Sequence, residues 1–214
     1  MAVYTKINRS DLRSINRKFN FENFQSFKGI KQGIENTNYL LRSKNKKFIL
    51  TIFEKRVVKK EIPFFMKLMD QLSNLNINCP KPLKNNRGNY LIKVKNKIAC
   101  VVSFLDGKDK KKLNFKNCFD IGKTVAQMHL STKKLKLYRK NSMGIKNLNP
   151  LLNSIKFKSK KFINLEKFLK NNFKDIKGKW PKKLPQGIIH GDLFIDNIFF
   201  KGNKLSGIID FYFA

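Results

Sequence analysis

Between Phe24 and Lys55 the chain alternates apolar and polar positions in three short runs, FQSFKGI (24–30), TNYLLRS (37–43) and KFILTIFEK (47–55). Each is rich in aromatic or β-branched residues and bounded by Gly or Asn turns, which predicts three strands. The period then changes. In IPFFMKLMDQLSNLN (62–76), Phe65, Leu68, Met69 and Leu72 share one face, and Pro63 suits a first helical turn. NCPKPL stops this helix, and NYLIKV (89–94) and KIACVVSFL (97–105) predict two more strands. Ahead of them all, NRSDLRSINRKFN predicts a short helix opening on a Ser10/Asp11 cap. After a polar break at Asp106–Lys108 the pattern turns helical. FKNCFDIGKTVAQMHLST (115–132) places Cys118, Gly122, Val125 and His129 on one stripe, and a second helix is expected over Leu151–Phe173. NIFFKGNKLSGIIDFYFA (197–214) alternates around Gly202–Asn203 and predicts a β-hairpin. The reading is an α+β fold: a β-rich front with one packed helix (1–105), then a helical back carrying a polar loop and hairpin (106–214).

Composition changes this picture little. The 214 residues, 41% hydrophobic, support one substantial core or two small lobes. No apolar run is long enough to span a membrane, and the N-terminus shows no secretory h-region. Cys79, Cys100 and Cys118 are far apart and in no metal-ligand spacing, so they read as reduced thiols of a cytoplasmic protein. The 47 Lys and Arg against 14 Asp and Glu give a formal charge of +33, which raises the possibility of a non-catalytic, basic nucleic-acid-binding protein. The lysines are spread along the chain among Asn, Ile and Phe, the bias of an AT-rich genome, and no nucleic-acid motif accompanies them. Nucleic acid is therefore not the expected partner, nor is a membrane.

The candidate chemistry lies in IIHGDLFIDNIFF (188–200), where a chain poor in acids places two of them between apolar runs. An Asp such as Asp192 can accept the proton of a substrate hydroxyl. The amide oxygen of Asn197 and the carboxylate of Asp210 are hard oxygen ligands suited to Mg²⁺. H-G-D-x-x-x-x-N followed by I-I-D-F is the loop Asp, loop Asn and later metal-binding Asp of phosphoryl transfer. Asp196 reads as a loop cap, and His129 as a packing residue.

These residues resemble the signature of the aminoglycoside phosphotransferase and choline kinase superfamily. The whole chain resembles the bacterial homoserine kinases within it, through SFKGIKQGIENTNYLL, FILTIFEKR, PFFMKLMDQL, CPKPL, VSFLDG, WPKKLPQGIIHGDLFIDNIFF and LSGIIDFYFA. The resemblance implies a protein-kinase-like fold of two lobes, an antiparallel N-lobe sheet and a helical C-lobe that is truncated here. The implied activity is ATP-dependent phosphorylation of L-homoserine, in threonine biosynthesis. Asp192 would be the catalytic base, with His190 supporting its loop, and Asn197 and Asp210 would hold Mg²⁺. The turn GIENTNY, with Gly33, Glu35, Asn36, Thr37 and Asn38, would lie over the ATP phosphates, and Ser103, Phe104 and Leu105 would offer backbone groups to adenine.

Two departures from the general kinase pattern stand out. Thr51 occupies the strand position where kinases carry a phosphate-holding Lys, and the acid that pairs with that Lys is replaced near Phe65. The homoserine-kinase pattern matches at both places. Thr51 is counted with the nucleotide site, while the phosphate-holding cation stays open between Lys55, Arg56 and no residue at all. The alternative enzyme is a related kinase acting on an amino alcohol, aminoglycoside or choline-like acceptor. The resemblance further implies more helical C-lobe beyond Ala214. Without it, Phe211, Tyr212 and Phe213 are expected to form an uncovered apolar patch, and the chain alone to be poorly soluble and weakly active. Oligomeric state is not legible.

Overall fold

A computed structural model describes residues 3–19, 23–33, 35–54, 57–155, 162–181 and 183–214. They form two compact units, Met1–Leu137 with Gly187–Ala214, and Tyr138–Gln186.

The first unit is built on a five-stranded antiparallel sheet of β1 (Ser26–Gly29), β2 (Thr37–Arg42), β3 (Lys47–Ile52), β4 (Leu91–Val94) and β5 (Lys97–Ser103), in the order β1-β2-β3-β5-β4. Because side chains alternate across a strand, the sheet serves two cores. Leu41, Leu50, Ile52, Ala99 and Val101 face α1 (Arg9–Asn16) with Phe19 and Phe24. Cys100 and Val102 face the other way, against α2 (Ile62–Asn74), where the predicted Phe65, Leu68, Met69 and Leu72 are all buried.

Two local expectations need correction. Asn8, not Ser10 or Asp11, caps α1: its Oδ1 accepts from the Asp11 N–H (3.0 Å), and the Asp11 carboxylate accepts from the Asn8 N–H (2.8 Å). A reciprocal capping box needs the acid three residues after the cap, which leaves Ser10 inside the first turn. The helix α3 (Phe115–Thr132) has the predicted bounds, but its buried residues are Asn117, Met128 and Thr132. Cys118 and Gly122 are exposed, and Val125 and His129 only half-buried. Asn117 is drawn inward by polar contacts, its Nδ2 donating to Asn203 O and its Oδ1 accepting from Lys110 Nζ.

The chain returns to this unit through a one-turn 3₁₀ helix (Ile195–Asn197) and the predicted hairpin, β6 (Ile198–Lys201) with β7 (Lys204–Ile208). Ile208 N–H donates to Asn78 O (3.0 Å), at the loop after α2. The expected apolar patch at the end of the hairpin is not there. Phe211 is fully buried in the α2 core, and Tyr212 sets its ring edge-on to Phe53 and Phe65 at 5.3 and 5.6 Å. The second unit holds α4 (Ile145–Ser154) and α5 (Ile163–Lys179) where a single helix was expected. Among the described residues no helix is long and apolar enough to cross a membrane.

Candidate active site

The loop after Ile189 is shaped by its own polar groups. Gly191 sits at φ +79°, and a side-chain carbon there would come within 2.6 Å of Phe213 O, so only glycine fits. Buried beside it, the His190 ring ties two segments together. Its Nε2 lies 2.8 Å from Ile209 O, which can only accept, and its Nδ1 lies 3.2 Å from the Asp192 N–H, which can only donate. Those partners require the neutral ring with hydrogen on Nε2. Burial pushes the His190 pKa below its ordinary value, against the acceptor at Ile209 and the charge of Asp192, and so favours that form. The ring also packs on Phe211 at 4.7 Å. His190 thus supports the loop without facing open space.

Asn197 organises the other side of the loop. Its Nδ2 donates to the Asp192 carbonyl (2.8 Å) and to Asp192 Oδ2 (3.2 Å), which fixes the carboxylate's direction. With both amide hydrogens turned toward Asp192, Oδ1 points away from it and meets no donor among the described residues. The Ile209 N–H donates to the Asn197 carbonyl (2.9 Å), so this loop and the strand leading to Asp210 are stitched together. Asp210 lies two residues past β7 at φ +65°, a left-handed conformation that a non-glycine residue adopts only when its surroundings hold it there.

Burial raises the Asp210 pKa to about 6, and the charges of Glu35, Asp192 and Asp196 add to the rise. A half-buried carboxylate repelled by three others, with the free oxygen of Asn197 on the adjoining loop, is a hard, negative donor set that fits a small divalent cation. No three His, Cys, Asp or Glu side chains converge as a metal site among the described residues. The pair would leave its remaining coordination positions to phosphate oxygens and water, as Mg²⁺ sites commonly do.

Across the sheet, the turn between β1 and β2 opens with Gly33 at φ +92°. Its side chains divide. Thr37 is fully buried and faces away from the turn: its Oγ1 accepts from the Tyr4 and Thr5 N–H groups and donates to Glu54 Oε1 (2.7 Å). Asn36 is also buried, and its Oδ1 accepts from the Glu54 N–H (3.3 Å). Asn38 is half-buried, and its Oδ1 accepts from the Thr51 hydroxyl (2.8 Å). Thr51 is buried, and its hydroxyl is therefore engaged within the protein. Lys55 and Arg56 lie outside the described residues. At the hinge, Ser103 N–H donates to Lys81 O (2.8 Å) and Phe104 N–H to Lys47 O (3.2 Å), leaving Leu105 N–H as the donor of the three without a partner among the described residues.

Two groups escaped sequence reasoning. Glu54 accepts from Thr5, Thr37 and Lys97. Burial opposes its ionisation, but those hydrogen bonds together hold its pKa below the usual value. This cluster fastens the N-terminal segment to β2, on the sheet face away from Thr51. The second is Tyr212, whose ring packs edge-on against Phe53 and Phe65. Burial raises the pKa of Tyr212 well above the ordinary tyrosine value, and that of Cys100 to about 12. The one available signal for Tyr212 was its position two residues after Asp210.

The sequence matches the phosphotransferase enzyme family over residues 26–214. It is 37% identical over 215 residues to the homoserine kinase of Parvibaculum lavamentivorans, covering 100% of this chain and 67% of the relative. The homoserine kinase of Allorhizobium ampelinum is 40% identical with the same coverage. Among solved structures, an amicoumacin kinase in complex with AMP-PNP, Ca²⁺ and Ami superposes with a TM-score of 0.76 at 16% identity, over 96% of this chain and 64% of that one. The chain thus spans about two thirds of the length of the curated relatives it matches. It belongs to the phosphotransferase enzyme family, in the branch of the homoserine kinases, and has the protein-kinase-like fold.

Proposed function

We propose that the protein transfers the γ-phosphoryl group of ATP to the hydroxyl of L-homoserine, giving O-phospho-L-homoserine and ADP, a step of threonine biosynthesis. The observation that carries the chemistry is the loop in which Asn197 Nδ2 aims the Asp192 carboxylate, stitched through Ile209 to the strand end that carries Asp210. The choice of acceptor rests on the homoserine kinases at 37–40% identity. Residues 1–105 would form the nucleotide lobe and 106–214 would carry the catalytic loop.

Asp192 accepts the proton of the acceptor hydroxyl as its oxygen attacks the γ-phosphorus in line. The bond from phosphorus to the bridging oxygen breaks, and ADP leaves with the electron pair. Little covalent work falls to the protein, so positioning dominates. His190 holds the loop in register with Ile209, and Asn197 prevents the Asp192 carboxylate from rotating. Asn197 Oδ1 and Asp210 would hold Mg²⁺, which when bound neutralises charge on the phosphates. The turn from Gly33 to Tyr39 would cover the phosphates with backbone N–H groups, and Leu105 N–H would meet adenine. Three free cysteines and the use of ATP fit the cytoplasm.

The test is ATP-dependent phosphate transfer by the purified chain to L-homoserine, set beside choline, an amino alcohol and an aminoglycoside. Preferred turnover of homoserine is expected. Faster turnover of another acceptor would overturn the substrate assignment, and no transfer to any would overturn the activity of the chain.

A further inference from the structure

We propose that the side-chain amide of Asn38 is the phosphate-holding donor of the nucleotide site, aimed by a hydrogen bond from the Thr51 hydroxyl. This deepens the proposed function and rests on its reading that the turn beginning at Gly33 holds the phosphates of ATP.

Kinases hold these phosphates with a lysine on the third strand. Here that strand carries Thr51, buried and unable to present a charge. What stands in the same row is a set of hydroxyl, thiol and amide groups. Asn38 pairs with Thr51 across β2 and β3, and Thr51 with Cys100 across β3 and β5. Directly opposed residues share a sheet face, so the three side chains line one row.

Thr51 has one hydroxyl hydrogen, and it goes to Asn38 Oδ1 (2.8 Å), which fixes the Asn38 amide with Oδ1 inward. Its two Nδ2 hydrogens are left over. They meet no acceptor among the described residues, and Gln71 Oε1 is the sole sealed side-chain polar atom without a partner there, so Asn38 Nδ2 is open to solvent. It faces the turn: a side-chain carbon placed on Gly33 would sit 3.9 Å from it. A donor pair locked in orientation, open to solvent and lining a glycine turn is suited to a phosphate oxygen. Being neutral, it relies on the metal to balance the phosphate charge.

The same bond gives Thr51 a positioning role toward the turn over the phosphates.

The test compares ATP with adenosine, which lacks phosphates, by calorimetric titration of the 214-residue protein and its variants. Wild type is expected to bind ATP more tightly than adenosine. In Asn38→Ala, loss of hydrogen bonds to a charged group should weaken ATP about 10- to 100-fold and leave adenosine unchanged. Thr51→Val keeps its shape, and should reduce the same ATP-to-adenosine ratio by a smaller factor. An Asn38→Ala protein that keeps the wild-type ratio overturns the proposal while the nucleotide site stands. A Thr51→Val protein with a lowered melting temperature but an intact ratio overturns the positioning role. Wild-type protein that does not prefer ATP to adenosine overturns the proposal together with the reading of the turn.

Discussion

At the scale of single residues, the site turns on which protons are held where. Asp192 is the acid proposed to take the hydroxyl proton, and its backbone is fixed through His190 and Asn197. Asp192→Asn should therefore lower kcat by about 10²-fold or more with little change in ATP affinity, measured by steady-state kinetics and titration of ATP. His190 is held below its ordinary pKa by burial. The unfolded chain, with the ordinary histidine pKa of 6.5, takes up the proton first as pH falls, so this contribution to stability is present above 6.5 and lost below it. His190→Gln keeps one donor and one acceptor without titrating. Its melting temperature should fall less than wild type's as pH drops from about 7 to 5. Asp210 has the opposite sign. Its pKa is raised from 3.8 to about 6, so its ionisation destabilises the fold as pH rises through that interval, by at most about 3 kcal/mol before solvent screening is allowed for. Asp210→Asn should raise the melting temperature at pH 8, leave it nearly unchanged at pH 4, and weaken Mg²⁺ binding. An unchanged melting temperature at pH 8 would show that the repulsion from Glu35, Asp192 and Asp196 is relieved some other way.

At the scale of elements, much of the fold was legible because it is local. Each of the strands β1 to β7 falls within a short run read as a strand from the sequence, and Pro63 marks the first turn of α2 as its missing N–H requires. Burial along α3 was not legible. Its apolar stripe pointed to Cys118 and Gly122, but the helix turns Asn117 inward to Lys110 and Asn203, partners 7 and 86 residues away. The same limit applies within the site. Asp192, Asn197 and Asp210 could be read because their spacing is short and their chemistry specific. Tyr212 could not, because its packing depends on Phe53 and Phe65, which lie far from it in the chain. Contacts between elements are also where substitution should be most damaging. Gly207 sits at φ +157° in β7, and a side-chain carbon there would come within 2.4 Å of Asn78 O, the group that accepts from Ile208 N–H. Gly207→Ala should force β7 off the loop after α2 and shift Asp210 with it. A drop in melting temperature and a loss of Mg²⁺-dependent activity are expected together. A variant with both intact would show that Asn78 yields without disturbing the strand.

At the scale of the whole molecule, the most prominent feature of the composition and the candidate site carry opposite charge. The chain has a formal charge of +33, yet three of its 14 acids, Glu35, Asp192 and Asp196, bear on a fourth, Asp210. A negative site in a strongly positive protein attracts a cation locally, while the surrounding field draws in an anionic nucleotide from a distance. That field has a cost, because like charges repel in the compact state. Salt should separate the two effects, since the screening length falls from about 30 Å at 0.01 M to about 8 Å at 0.15 M. Over that range the melting temperature should rise as self-repulsion is screened. The association rate for ATP should fall, because steering is screened as well, while the dissociation rate, set by contacts at short range, changes less. Calorimetric melting and stopped-flow binding of a fluorescent ATP analogue at both salt concentrations would check this. Opposite responses are the mark of one diffuse field with two consequences. An association rate insensitive to salt would mean that the lysines are too scattered to guide the nucleotide, and that the net charge bears on solubility alone.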